Sequence, residues 1–124
     1  MKRDVFNPGN VKPALPLSHA VRAESLVFIS GQLPFGKNGQ FPEGFESQLR
    51  QVFINFSAAL ASAGSSMEAV VKTTCFLKDM NDFSELNRIY GEYFKEAPPA
   101  RSTIEVARLP NDALVEIEAV AMKL

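Results

Sequence analysis

Two helix-like hydrophobic patterns, with one strand-like segment between them, constrain the fold of this chain more than any other feature. The first pattern has apolar residues at spacings of three and four, at Phe45, Leu49, Val52, Phe53, Phe56 and Leu60. The second repeats this spacing with aromatic and aliphatic residues, at Phe83, Leu86, Ile89, Tyr90, Tyr93 and Phe94. Such spacing predicts two helices that each bury a single apolar stripe against another layer.

Segments before, between and after these helices have the composition of β-strands and predict that the other layer is a sheet. Residues 18–32 predict two short strands around a turn at residues 22–25, and residues 70–77 predict a third strand. Residues 99–110 and 115–121 predict a last pair, joined by a Pro-Asn-Asp turn. The order is β-β-α-β-α-β-β, with an extra N-terminal strand as an option. We therefore predict an α+β, two-layer sandwich with both helices on one face of a mixed sheet.

Glycine, proline and capping residues predict where the helices end. Gly64 marks the C-terminal end of the first helix, residues 79–82 cap the second, and Pro98 cannot continue it. A further turn is predicted at residues 36–39. Residues of the first helix outside the apolar stripe are expected to face solvent, namely Glu46, Arg50, Asn55 and Ser57.

The composition fits one domain spanning residues 1–124 and argues against several classes of function. The chain is 46% hydrophobic, which is enough for a real core. Its 13 basic and 14 acidic residues give a net charge of -1 and are scattered singly, so we expect no nucleic-acid partner. No apolar run is long enough to span a bilayer, and no apolar segment follows the basic N-terminus. We therefore expect no membrane association and a cytoplasmic location.

The lone cysteine and the lone histidine give little support to metal or nucleophile chemistry. Cys75 excludes an intrachain disulfide and, among apolar neighbours, is interpreted as a buried, inert thiol. Together with the distant His19 it falls short of a zinc or iron ligand set, so we predict no metal site. His19 itself is interpreted as an ordinary polar strand residue, in preference to a member of a catalytic triad.

The sheet of a two-layer domain has a second face, which points away from the helices. Several residues expected on that face would be poorly accommodated by water. Because small two-layer domains often cover such a face by self-association, we expect the chain to form oligomers.

The last two predicted strands carry charged residues inside otherwise apolar segments. Arg101 and Thr103 share one face of the first strand, and Glu116 and Glu118 share one face of the second, since strand side chains alternate. Charges in such positions are costly unless they are paired or solvated. If the two strands are neighbours, the arginine can bind a carboxylate substrate while a glutamate handles a proton or a water. The alternative is that Arg101 forms a structural ion pair with a nearby carboxylate.

Several short motifs, in order along nearly the whole chain, resemble those of one known family. They are Ser30-Gly31-Gln32, Val71-Lys72-Thr73-Thr74, Asp82-Phe83, Asn87, Tyr90, Pro99-Ala100-Arg101-Ser102, and the segments 105–110 and 116–119. Together they resemble the RidA/YjgF family of reactive-intermediate (enamine/imine) deaminases. The resemblance implies a chorismate-mutase-like α+β domain that assembles as a homotrimer, with three clefts between subunits.

The resemblance also implies a reaction and a set of site residues. The reaction is the hydrolysis of 2-imino acids, such as 2-iminopropionate and 2-iminobutyrate, to 2-keto acids and ammonia, with no cofactor. Arg101 would bind the substrate carboxylate and Glu116 would hold or activate the attacking water. The residues implied to bind substrate or shape the pocket are Leu17, Ser30, Gly31, Asn87 and Thr103. No role is implied for Glu118 beyond an ion pair.

One segment departs from the family pattern. Deaminating members commonly carry Gly-Pro-Tyr before the second strand, whereas this chain has Leu15-Pro16-Leu17-Ser18-His19. We therefore expect a more apolar cleft at Leu17, with His19 as an alternative source of a polar group. The departure leaves open a non-catalytic, carboxylate-binding or regulatory member of the family. The ribonuclease activity of some relatives is a more distant alternative, because the chain lacks a basic stripe.

Overall fold

The computed structural model describes residues 2–124, and its regular elements follow the predicted order with the optional N-terminal strand present. They are β1 (Asp4–Phe6), β2 (Ala20–Ala23), β3 (Leu26–Gln32), α1 (Phe45–Ser62), β4 (Val70–Leu77), α2 (Phe83–Tyr93), β5 (Ala100–Glu105) and β6 (Val115–Met122). The strands form one sheet in the order β1-β2-β3-β6-β4-β5. Only the β4–β5 pair is parallel among the described strands, so the predicted mixed sheet is confirmed.

The core lies between one face of the sheet and the two helices. The predicted helical stripes are buried, and the largest fully buried side chains include Leu49, Phe53, Phe56, Leu60, Leu86 and Ile89. The Phe53 ring stacks on Tyr93 with 4.1 Å between ring centroids, which joins the two helices. From the sheet, Thr73 shares a 2.7 Å hydrogen bond with the Tyr90 hydroxyl. The two-layer α+β sandwich is therefore confirmed.

Local signals placed the ends of the elements well, with one shift at the first hairpin. Gly64 follows the end of α1 with φ +76°, the left-handed conformation that favours glycine. Asp79 accepts a hydrogen bond from the Asn81 amide, 2.8 Å, just before α2. The first hairpin turn is shorter than predicted, because β2 continues to Ala23 and the reversal falls at Glu24, which has φ +56°.

The prediction that the last two strands are neighbours is wrong, because β4 lies between β5 and β6. The α2 crossover returns the chain parallel to β4, as a β-α-β connection does, and β5 takes the free edge of the sheet. The segment 106–114 then carries the chain past β4 to its other side. Strand composition gave no sign of this order, since both strands suit either position.

The face of the sheet away from the helices, called here the open face, carries exposed apolar side chains. Leu26 and Phe28 of β3, Ile104 of β5 and Met122 of β6 are 38%, 44%, 46% and 49% exposed. Apolar side chains spread over one sheet face are a feature of interaction surfaces. The predicted second face, poorly suited to water, is therefore present.

Candidate functional site

Arg101 lies at the start of the edge strand β5 and points to the helix side of the sheet. Its Nη2 donates a 2.7 Å hydrogen bond to Oδ1 of Asn87, and its guanidinium carbon lies 4.8 Å from the centre of the Tyr90 ring. The Phe83 ring lies 5.6 Å from the same carbon. A neutral amide and two aromatic faces orient the guanidinium without neutralising it.

The structure argues against a purely structural ion pair for this arginine. Within residues 2–124, the ion pairs join other arginines, namely Arg50, Arg88 and Arg108, to carboxylates. Arg101 has no carboxylate within ion-pair distance in the same part of the chain. The neutral partners of Arg101 leave its positive charge uncompensated, so the guanidinium can still bind an anion. This site therefore suits a carboxylate ligand.

Thr103, two residues along the same face of β5, carries a buried hydroxyl. In the part of the chain that the structure describes, its Oγ1 is the one buried side-chain oxygen without a hydrogen-bond partner. Buried hydroxyls normally have a partner, so an unpaired one is unusual in a folded chain. Its neighbour in β4, Cys75, is fully buried as predicted, and burial raises the pKa of that thiol to about 11. A thiol with such a pKa is protonated at neutral pH and unreactive.

Glu116 lies in the middle of the sheet, on the open face, beside Gly31. A Cβ built on Gly31 would overlap the Glu116 carboxylate, so this position has no room for a side chain. The close approach depends on a bulge in β3: Ser30 and Gly31 lie opposite the single residue Glu118 of β6. Burial, and secondly the charge of Glu118, raise the pKa of Glu116. A carboxylate with a raised pKa is suited to accepting and returning a proton near neutral pH.

The remaining predicted residues lie close to Gly31. The orientation of the Ser30 side chain is fixed, because its Oγ donates a 2.6 Å hydrogen bond to the Ser18 carbonyl. Leu17 and Gly31 line a cavity of about 440 Å³ at the end of β3, together with His19. His19 precedes β2 instead of lying within a strand, and its Nδ1 is 3.3 Å from Nε2 of Gln32. His19 is therefore not a strand residue, and the interpretation is wrong on this point.

Six of the seven predicted site residues form two groups on opposite faces of the sheet. Arg101 pairs in register with Thr73, which is fully buried under the helices. Glu116 pairs with Phe76, three residues further along β4 and therefore on the other face. The arginine group, Arg101, Asn87 and Thr103, is thus separated by the sheet from the glutamate group, Glu116, Gly31 and Ser30. Leu17 belongs to neither group and lines the cavity next to α1. The expectation that one chain brings Arg101 and Glu116 together is wrong.

Glu118 is exposed on the open face and has no ion pair within residues 2–124. Glu118 lies two residues after Glu116 on the same face of β6. It lines a shallow depression of the open face that also contains Lys72 and Thr74. Its effect on the site is electrostatic, through the pKa of Glu116.

Sequence reasoning missed two polar residues that shape the site. Asn55, expected to face solvent, donates through Nδ2 to the Leu33 and Phe35 carbonyls, 2.8 and 2.9 Å, and so holds the loop after β3. Gln32, which is 3% exposed, binds both His19 and the Ser30 carbonyl. Gln32 could have been found from the sequence, because it belongs to the Ser-Gly-Gln motif. The role of Asn55 could not, because it depends on the path of a loop, which no periodicity predicts.

Comparisons with known proteins agree with this architecture. The family model described as Endoribonuclease L-PSP matches residues 9–123. A RutC family protein from Pyrococcus horikoshii is 47% identical over 125 residues, covering 99% of both chains. No helix among residues 2–124 is long and apolar enough to cross a membrane.

Solved structures of related proteins also resemble this chain in sequence and fold. A Yersinia pestis protein of the conserved Rid family, YyfA, is 41% identical with a TM-score of 0.92, covering 98% of this chain and 99% of that one. The E. coli protein TdcF, solved with bound serine, is 35% identical with a TM-score of 0.90, again covering 98% of this chain and 99% of that one.

Proposed function

Because this chain belongs to the RidA/YjgF family, we propose that it hydrolyses reactive 2-imino acids and their enamine tautomers to 2-keto acids and ammonia. The observation that carries the proposal is an arginine without a carboxylate partner, Arg101, oriented by Asn87 and Tyr90. Serine bound to the E. coli relative supports a ligand with an α-carboxylate.

We infer that each active cleft forms between two subunits. Arg101 and Glu116 of one chain lie on opposite faces of the sheet, so neither can serve a ligand bound at the other. The apolar open face calls for a partner surface, and a cyclic homotrimer would place the arginine group of one subunit against the glutamate group of the next. The oligomer then both covers the open face and completes the site.

In this cleft Arg101 grips the carboxylate through two parallel hydrogen bonds and holds the imine carbon near Glu116. A water oxygen adds to that carbon while the C=N electron pair moves to nitrogen. Glu116 accepts the water proton and returns it to the nitrogen, and the C–N bond then breaks as the hydroxyl proton moves to the leaving ammonia. The products are the 2-keto acid and ammonia, and the reaction consumes one water without a redox step.

The direct test follows the disappearance of an imine generated in situ. A threonine dehydratase supplies 2-iminobutyrate, and an L-amino-acid oxidase supplies other 2-imino acids. We expect the protein to accelerate their hydrolysis over the spontaneous rate. Binding of 2-ketobutyrate, seen as thermal stabilisation, without any acceleration would instead support the non-catalytic carboxylate-binding alternative.

Ribonuclease activity has less support, although the description of the family model includes it. The net charge of -1 and the scattered basic residues provide no track for a phosphate backbone. We expect no cleavage of single-stranded RNA under conditions in which imines are hydrolysed.

Gly31 should be required for the position of Glu116. We expect Gly31→Ala to lower kcat by about tenfold or more, because the added methyl group displaces the carboxylate that moves the proton. The matched control is Gly91→Ala on α2, where a Cβ meets no atom within 4 Å and alanine favours the helix. Steady-state kinetics and melting curves of both variants check this. Equal activity in the two variants would remove the proposed role of the Gly31–Glu116 contact.

Glu118 should set the acidic limit of activity. Its charge helps to raise the pKa of Glu116, so Glu118→Gln lowers that pKa. Activity that depends on ionised Glu116 is lost as pH falls through its pKa, so the acidic limb of the kcat profile should move to lower pH. A profile measured from pH 5 to pH 9 checks the direction. A limb that stays in place, or moves up, would contradict the assignment of Glu116 as the base.

A further inference from the structure

Thr73 of β4 is a fully buried polar residue beside the arginine group. It pairs in register with Arg101 of β5, so the two side chains project next to each other on the helix side of the sheet. Its hydroxyl shares a 2.7 Å hydrogen bond with the hydroxyl of Tyr90 on α2. Valine has the same shape and suits a buried strand equally well. The hydrogen bond is therefore what distinguishes threonine from valine at this position.

The Tyr90 ring lies between this hydrogen bond and the guanidinium of Arg101, whose carbon is 4.8 Å from the ring centre. The ring also packs against Phe53 and Phe94, with ring centroids 6.0 and 4.7 Å away. Apolar packing of this kind has little directionality, whereas a hydrogen bond is directional. The bond to Thr73 therefore fixes where the ring lies relative to the guanidinium.

The Tyr90 hydroxyl remains protonated at neutral pH. Burial, the largest cause, raises the pKa of this side chain. A neutral phenol keeps its hydrogen bond to Thr73 and places no negative charge beside Arg101. The bond therefore orients the ring and leaves the charge of the arginine available for a carboxylate.

We propose that Thr73 is a positioning residue for the carboxylate anchor: through its hydrogen bond to Tyr90 it fixes the ring against which the guanidinium of Arg101 lies. The inference rests on the proposed deaminase function and extends it to a residue inside the core. Asn87 holds Nη2 of the guanidinium, and the ring holds its plane. Two parallel hydrogen bonds to a carboxylate require that plane to be fixed.

Isosteric variants that remove one hydroxyl each test the proposal. Thr73→Val and Tyr90→Phe should each raise KM for 2-iminobutyrate by about threefold to tenfold, because a misaligned guanidinium binds the carboxylate less tightly. A carboxylate held equally in the substrate and in the transition state affects KM and not kcat, so kcat should change by less than about twofold. The inhibition constant of 2-ketobutyrate should rise by the same factor as KM. Thr73→Ser keeps the hydroxyl and should keep the wild-type KM.

The double variant separates positioning from a merely structural role. Thr73→Val alone leaves the Tyr90 hydroxyl buried without a partner and should lower the melting temperature. Thr73→Val/Tyr90→Phe leaves neither group unpaired, so its melting temperature should recover while its KM stays raised. Ser65→Ala is the matched control, since it removes another buried hydroxyl, which donates a 2.7 Å hydrogen bond to the Met122 carbonyl. This control should lower the melting temperature and leave KM unchanged.

The outcomes distinguish this inference from the proposed function. A KM that recovers together with the melting temperature in the double variant would overturn the role of Thr73 and leave the deaminase function in place. An unchanged KM in both single variants, or a fall in kcat at unchanged KM, would do the same. No acceleration of any imine by the unmodified protein would overturn both.

Discussion

Replacing Arg101 with alanine is expected to lower kcat/KM for imine hydrolysis by roughly 10² to 10³-fold, because losing one partner of a desolvated, hydrogen-bonded ion pair costs about 3 to 4 kcal/mol. The fold should survive the change. Arg101 contacts a neutral amide and two aromatic rings, so its removal leaves no buried carboxylate without a partner. Melting temperature and oligomeric state should therefore stay near those of the unchanged protein.

Arg101→Lys separates charge from geometry. Lysine keeps the positive charge but cannot form two parallel hydrogen bonds to a carboxylate, so we expect a loss intermediate between wild type and alanine. Arg108→Ala is the control, since Arg108 is an exposed arginine whose partner is Asp112. Kinetics on 2-iminobutyrate and on one bulky imine measure all three variants. Full activity in Arg101→Ala would exclude this residue as the carboxylate anchor.

Two inactive variants are expected to restore each other when they assemble together. Arg101→Ala and Glu116→Gln each destroy one half of every cleft, so each alone should be nearly inactive. A mixed cyclic trimer contains two subunits of one variant and one of the other. One of its three clefts then joins an intact arginine to an intact glutamate, so about a third of the wild-type activity should return in the isolated mixed trimers.

The arrangement of the sheet is the reason for this prediction. Arg101 faces the helices with Thr73, and Glu116 faces away from them with Phe76, so a functional pair must come from different chains. Co-expression with two different affinity tags isolates the mixed assemblies. Arg101→Ala assembled with the double variant Arg101→Ala/Glu116→Gln is the control and should stay inactive. Mixed assemblies of the single variants without any activity would mean that the cleft does not lie between subunits.

The helices and the core were predictable because their signals are local. Residues three and four apart lie on the same side of a helix wherever the helix packs, so Leu49, Phe53 and Phe56 were expected in the core and are buried. Gly64 ended α1 for an equally local reason, its positive φ. Asn55 escaped prediction because its partners are carbonyls of a separate loop, 20 and 22 residues away.

The order of the elements, the buried stripes and the charged residues available for a site all follow from local sequence patterns. Alternation along one strand shows which of its side chains share a face, so Arg101 with Thr103 and Glu116 with Glu118 were correctly grouped. It does not relate the faces of two strands, which depend on how each pairs with β4. The arginine and the glutamate lie on opposite sides of the sheet because of how the strands pair in three dimensions. Strand pairing is a long-range choice among segments of similar composition, and no local pattern encodes it.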